Sequence, residues 1–245
     1  MGPPMTVPTQ PTVPTGPQTH ILDNPAWASL SGVQADLGET TSRAGRYLPT
    51  VSPFGAVSDP TDPLAWADLA GLIAPGGGVA MTAEPDDIPS DWEDRDPTPG
   101  VQLVPTDALV TGPFAGAVEL GADDASEMVD LVTRTRPGPF FSETHRMGRY
   151  LGIRSEAGAL VAMAGERLHP PGWTEISAVC TDPGYRGRGY ARALVGAVAH
   201  EIFARGESPF MHAAASNTSA IELYLRMGFV IRRTVDFHYL RPIRG

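Results

Sequence analysis

The chain contains no lysine; all 18 of its basic residues are arginine. That absence removes Schiff-base chemistry on pyridoxal phosphate, the lysine of a phosphate-binding loop and the strand lysine of a kinase. Cysteine is nearly as scarce. Cys180 stands alone, so an intrachain disulfide and a cysteine-rich metal site are excluded. The six histidines (20, 145, 169, 200, 212 and 238) show no short metal-ligand spacing, and no metal is expected. No stretch approaches the ~18 consecutive apolar residues of a membrane span. The N-terminus also lacks the apolar core of a secretion signal, so a cytoplasmic location is the expectation.

Positive charge is missing from the first hundred residues in particular. They hold 13 acidic residues against Arg43, Arg46 and Arg95, a net of −10, whereas residues 101–245 balance 15 acids with 15 arginines. There is no basic field to attract nucleic acid. If the second half holds a polyphosphate, it must do so with locally placed arginines. At 245 residues and 42% hydrophobic, the chain can bury a core of one or two domains.

Residues 1–20 are rich in Pro and Thr with almost no charge, which predicts a disordered tail. Residues 21–111 read as an N-terminal αβ region of uncertain role. Asp23 or Asn24 can cap a helix that begins at Pro25 and runs to about Leu37, and a second helix is expected over Pro63–Ile73. A short strand, Val79–Met81, follows, and the acidic, Pro-rich residues 84–99 read as a loop or linker. This region is also a candidate partner-binding module, its acidity suiting a basic protein, although such a loop is usually just solvated.

From Ala117 the pattern is clearer. A strand (Ala117–Leu120) leads to a helix capped by Asp124 with Glu127 three residues on, and Pro137 to Pro139 stop it. Arg149–Arg154, Ala159–Leu168 and Trp173–Thr181 form a three-stranded meander. A helix is expected over about Gly187–Arg205 and a strand over Pro209–Ala213. A short helix over about Ala220–Met227 and strands near Val230–Arg233 and Val235–Leu240 complete the order. The order β-α-β-β-β-α-β-α-β predicts an α/β (α+β) mixed sheet with helices on both faces.

Within that frame, the run Val179 to Ala191 takes a strand through a loop into the first turn of a helix. Gly187 and Gly189 remove side chains where backbone N–H groups are still unpaired, and the helix dipole favours an anion there. Arg186 and Arg188 add charge-assisted donors of the kind that suit phosphate. A dinucleotide fold would need G-x-G-x-x-G after the first strand of a parallel unit, which this is not.

Arg186–Ala191, R-G-R-G-Y-A, resembles the R/Q-x-x-G-x-G/A motif of the GNAT N-acyltransferase superfamily. Asn217–Phe229 is similar to that superfamily's second segment, N-x-x-A-x-x-L-Y-x-x-x-G-F, about 30 residues on and in the same order. The resemblance covers residues 112–245. Within the superfamily it looks closest to the glycine N-acyltransferase-like branch, which carries an extra N-terminal half. It implies acetyl-CoA, or another acyl-CoA, as donor, with direct transfer to an amine and no covalent enzyme intermediate.

Carried over by position, the backbone of Val179, Cys180 and Thr181 should bind the pantetheine arm. Arg186, Gly187, Arg188, Gly189, Tyr190, Ala191 and Arg192 should hold the pyrophosphate. Asn217 either reaches the cofactor, if Ser219 and Glu222 form the helix cap, or is itself the cap. Tyr224 matches the tyrosine that faces the departing thiolate, against the alternative of an aromatic packing between helix and sheet. Glu175 lies 11 residues before Arg186, the spacing of the strand glutamate base in histone-acetyltransferase members. A salt bridge to Arg149 or Arg167 is its equal alternative. Glu166 is the next candidate base. Cys180 reads as a packing residue, His212 as a core histidine that could line the acceptor side, and Phe140 and Phe141 as an acceptor wall or loop anchors. The partner implied is a small-molecule or peptide amine. A different class, a non-catalytic acyl-CoA-binding or sensor domain, would need neither Tyr224 nor Glu175.

Overall fold

The computed structural model describes residues 20–243; the Pro/Thr-rich stretch 1–20, all but His20, lies outside them. The chain opens with helix α1 (Pro25–Leu30), where Asn24 accepts a hydrogen bond from the Trp27 N–H and donates its own amide to the carbonyl of Val57, 2.7 Å away. The helix expected to reach Leu37 stops at Leu30, because Ser31 and Gly32 turn the chain. Past that turn, Gln34 is buried, its amide donating to the carbonyls of Met147 and Arg167 while its oxygen accepts from the Tyr47 hydroxyl. A three-stranded sheet follows: β1 (Gly38–Thr40), β2 (Ala44–Tyr47) and β3 (Gly55–Val57). Helix α2 (Pro63–Leu72), capped by Asp62 with Pro63 at its first position, buries Ala65, Trp66 and Leu69.

An eight-stranded sheet carries the rest. Its members are β4 (Val79–Thr82), β5 (Trp92–Pro105), β6 (Val118–Leu120), β7 (Tyr150–Arg154), β8 (Leu160–Glu166), β9 (Trp173–Thr181), β10 (Ser208–Ala214) and β11 (Phe229–Pro242), in the order β4-β11-β5-β10-β9-β8-β7-β6. Helices α3 (Ala125–Thr135), α4 (Tyr190–Ala204) and α5 (Thr218–Met227) connect them. Leu194, Val195, Val198 and Ile202 of α4 pack with Tyr224 and Met227 of α5 against Ile176 and Met211 on one face of the sheet. Met128, Leu131 and Val132 of α3 meet Met163 and Cys180 in a separate cluster. Phe210, paired beside Glu175, packs instead with Leu22, Leu30 and Tyr47 of the N-terminal layer. Among the described residues, no helix is long and apolar enough to cross a membrane.

Three further expectations are corrected. Residues 84–99 are not simply a linker, since Trp92–Pro105 is a strand that pairs with β10 on one side and β11 on the other. A division at 111/112 therefore cuts through the main sheet. The two strands expected near the C-terminus are one, Phe229–Pro242, kept continuous across two register shifts. Asp124 makes no side-chain cap to α3; it accepts from the Gly121 N–H and, with Glu127, holds Arg154.

The position of β5 generates a stability prediction. A fragment beginning at residue 112 leaves β10 and β11 without the strand that joins them, and exposes Leu103's neighbours Met211 and Phe229. Residues 112–245 alone should show no cooperative thermal transition by circular dichroism, whereas residues 20–245 should. A sharp transition in the shorter fragment would show that the sheet closes without β5.

Candidate active site

The parallel pairing of β10 to β9 begins at Ser208/Trp173 and ends at Met211/Ile176. Beyond that pair, residues 177–181 and 212–214 part and leave an opening in the middle of the sheet. Ala178, just past the last pair, has φ 53°, a left-handed conformation that costs a non-glycine residue roughly 1–2 kcal/mol. The pairing with β8 slips at this point, between Met163/Cys180 and Gly165/Ser177. Such a bulge re-aims the backbone of the strand's end away from its neighbours.

Where β9 ends, Asp182 accepts a hydrogen bond from the Gly184 N–H at 3.0 Å and the loop turns into α4. Gly187 and Gly189 have φ of 77° and 79°, and a Cβ on either would meet nothing within 4 Å. The space beside them is open. No side chain caps α4, so its first-turn N–H groups and the positive end of its dipole are directed to an anion from outside. A groove of about 520 Å³ lies here, lined by Val179, Cys180, Thr181, Arg186, Gly187, Gly189, Tyr190, Ala191 and Arg192, with Asn217 and Tyr224 opposite. Thus most of the residues picked from the sequence share one cavity.

Arg188 does not line it; its guanidinium lies over the Tyr185 ring, 4.8 Å from the centroid. Thr135, Arg136 and Pro137 at the end of α3, and Tyr185, Ser219, Ala220 and Leu223, also line the groove. The Pro-Gly-Pro stop signal placed a loop at Arg136 but did not reveal that it faces α4. Phe140 is a loop anchor, packed edge-on against Tyr150 at 5.6 Å. Asn217 is the cap of α5, its side-chain oxygen accepting from the Ala220 N–H, while Glu222 pairs with Arg226. The Ser219–Glu222 capping box is therefore not formed.

Tyr224 is 6% exposed, and among the described residues its hydroxyl has no hydrogen-bond partner. Burial, helped by nearby Cys180, pushes its phenol above the ordinary value, so it stays a donor. Burial likewise pushes the Cys180 thiol up to about 11, which removes it as a nucleophile near neutrality.

Glu175 lies outside the groove. It is fully buried and accepts two hydrogen bonds from the Arg167 guanidinium, at 2.7 and 2.6 Å, and sits 2.7 Å from His212 Nδ1. Burial alone pushes its carboxyl up, but Arg167 and His212 together outweigh that and hold it at about 2. The salt bridge to Arg167 is the alternative that is built, and a carboxylate so held is a poor proton acceptor. Glu166 is held too, by Arg205 at 2.7 Å and by the Arg149 N–H at 3.2 Å. The chain continues from His212 Nε2 to the Gln102 amide nitrogen at 3.0 Å, which also donates to the Leu22 carbonyl, while Gln102's oxygen accepts from Arg232.

A bulged strand parting from its parallel neighbour, beside an uncapped glycine-flanked helix end, defines the class that the motifs implied, an acyltransferase built to hold acyl-CoA. Comparison with known proteins agrees. The family model of FR47-like proteins matches residues 150–237. A protein from Novosphingobium aromaticivorans, assigned as an acetyltransferase of the GNAT family, is 38% identical with a TM-score of 0.82, over 91% of this chain and 99% of that one. A GCN5-related N-acetyltransferase from Kribbella flavida shares the fold at 16% identity, with a TM-score of 0.57 over 89% of this chain and 96% of that one. The N-alpha-acetyltransferase RimI of Mycobacterium tuberculosis is 39% identical over 83 residues, 33% of this chain and 51% of RimI. This match thus spans about half the length of that curated relative. The chain belongs to the GNAT family of acetyltransferases.

The environment of Glu175 generates a prediction. Its folded value of about 2 lies below the ordinary 4.5. The stability it contributes is therefore complete above pH ~4.5 and is lost as pH falls through about 2. Glu175→Gln leaves Arg167 buried without its counter-ion, at a cost of ~3–5 kcal/mol at neutral pH. Denaturant unfolding between acid and neutral pH should show the variant's deficit shrinking toward the acid end. A deficit below ~1 kcal/mol at neutral pH would remove the pair's structural role.

Proposed function

We propose that this protein transfers an acetyl, or another acyl, group from acyl-CoA to a primary amine by direct attack. The observation that carries the reading is the groove at the α4 end, where Gly187 and Gly189 leave open space beside an uncapped helix N-terminus. Arg186 and Arg192, with Arg136 from the end of α3, supply positive charge for the pyrophosphate. The backbone of Val179–Thr181, beyond the last pair with β10, offers the pantetheine arm a strand edge. When bound, acyl-CoA supplies a thioester as the activated acyl group. Tyr224, kept protonated by burial, donates to the sulfur as its bond to the acyl carbon breaks. A merely acyl-CoA-sensing domain has no use for a phenol kept protonated at the wall of this groove. Within the family, we place the chain with the glycine N-acyltransferase-like branch, supported by its folded N-terminal layer.

The amine must lose a proton to attack. With Glu175 unavailable, His212 is the group best placed to take it. It is the first residue of β10 beyond the last β9 pair. Because Glu175 is ionised, His212 Nδ1 carries the hydrogen and donates it across 2.7 Å, which leaves the Nε2 lone pair for a proton. At rest the Gln102 amide donates to that lone pair, and the incoming amine takes its place. Glu175 is then a positioning residue, as an oriented carboxylate is in a histidine-based triad. The RimI match takes in only a third of this chain, so a peptide α-amine stays one acceptor among several.

Two experiments test this reading. Gly189→Val puts a side chain into the groove and strains a left-handed position. Calorimetry should show acetyl-CoA affinity reduced at least ~30-fold, about 2 kcal/mol, with cooperative unfolding retained. Unchanged affinity would remove the donor assignment. His212→Asn should lower turnover by ~10²-fold or more with no change in acetyl-CoA affinity, and added imidazole should restore part of the rate. Wild-type turnover in this variant would return His212 to the core.

A further inference from the structure

A second cavity of about 520 Å³ lies between the N-terminal layer and strands β4, β5 and β11, well apart from the acyl-CoA groove in sequence. No motif announces it, because its walls come from α1 and the turn before it, β3, β4 and β11. Asp23, Glu84, Asp87 and Asp236 line it, against one cation, Arg233. That arginine is already held, by Asp23 at 3.2 Å and Glu84 at 2.7 Å, and Asp23 also takes Arg232 at 2.7 Å. Among the described residues Asp87 and Asp236 have no ion-pair partner. The cavity therefore keeps uncompensated negative charge, which repels anions and attracts a cation. Trp27, Val57, Met81 and Val235 add an aromatic face and apolar wall suited to a carbon chain.

Gln102 joins this cavity to the proposed base. It lines the cavity and donates to His212 Nε2 at 3.0 Å. His212, Gln102 and Arg233 are register partners across β10, β5 and β11. Asp236 lies three residues beyond Arg233 on β11, so it stands about 14 Å from His212, two strand spacings across and three residues along. An amine reacting beside His212 must be neutral to attack, so the cation retained in the cavity has to be a second basic group on the same molecule.

We infer that this cavity is the acceptor pocket and that it selects diamines or polyamines whose second, protonated nitrogen lies about 14 Å from the reacting one. The inference rests on the acyltransferase reading and names its substrate class. The charge asymmetry of the chain agrees with it, since the whole excess of −10 lies in the first hundred residues, which build most of the cavity.

The test compares 1,10-diaminodecane, which has about this reach when extended, with decylamine, which has the same carbon chain and one nitrogen. Both are titrated calorimetrically into the full-length protein saturated with CoA, and both are assayed as acceptors with acetyl-CoA. Either amine can place an ammonium in the cavity, but only the diamine then leaves a second amine beside His212, so its kcat/KM should be at least ~10-fold the higher, about 1.4 kcal/mol. That advantage should weaken as salt rises. Asp87→Asn/Asp236→Asn should abolish that advantage while leaving acetyl-CoA affinity unchanged. Equal kcat/KM for the two amines, binding of neither, or an advantage that survives the double variant would each overturn the inference. Loss of acetyl-CoA binding by the wild-type protein would instead overturn the acyltransferase reading, so the two failures are distinguishable.

Discussion

The structure depends on a sheet that is deliberately open in its middle. Strand β10 is bonded to β9 only as far as Met211/Ile176, and the opening beyond is where a thioester can lie between two strands. A sheet interrupted at its centre loses ladder hydrogen bonds and the stiffness they give, so both edges of the gap need support from elsewhere. On one side α4 spans it, burying Leu194, Val195 and Val198 against Ile176 and Met211. On the other side β10 is bonded to β5, which is delivered by the N-terminal half of the chain. The N-terminal region is therefore part of the frame that keeps the site open.

The same requirement explains the buried charges. Arg167, Glu175 and His212 stand on and beside the two strands that part, each side chain held by the next. Gln102, Arg232 and Asp23 extend that line across β5 and β11 to the turn before α1. Removing two charges from water is costly, and an apolar cluster of the same volume would be as stable. What the polar chain adds is direction. A bidentate arginine–carboxylate pair fixes angles that methyl groups do not, and so it fixes the ring of His212 at the edge of the gap.

Much of the site was legible because its residues are neighbours in sequence. The strand Trp173–Thr181, the glycines after it and the helix beyond are one continuous segment, and local backbone chemistry dictates its shape. What escaped was everything assembled from distant segments. Residues 84–99 read as a linker because of their acids and prolines. Yet Pro97 and Pro99 precede Gly100, where pairing with β10 begins. Pro97 falls within the register shift against β11, and Pro99 lies before the β10 ladder with only its carbonyl engaged, by the Ala215 N–H, so a missing N–H is tolerated at both. Glu175 was ambiguous for the complementary reason. Spacing from Arg186 places it on the strand Trp173–Thr181, but only the fold turns it to the N-terminal layer and brings Arg167 and His212 against it.

The charge asymmetry follows from the same geometry. Acids of the first hundred residues reach the last strand, where Asp23 and Glu84 hold Arg232 and Arg233. This clamp uses only part of the excess. Had Asp87 and Asp236 been needed for folding, they would be paired in the same way, because an unpaired charge at a half-buried wall costs more than a solvated one. Asp87 and Asp236 line the second cavity without such partners. A wall of that kind persists at little cost only where water or a cationic solute reaches it. Asp23 and Glu84 therefore fasten the N-terminal half to the last strand, while Asp87, with Asp236 of β11, is left facing the space between them.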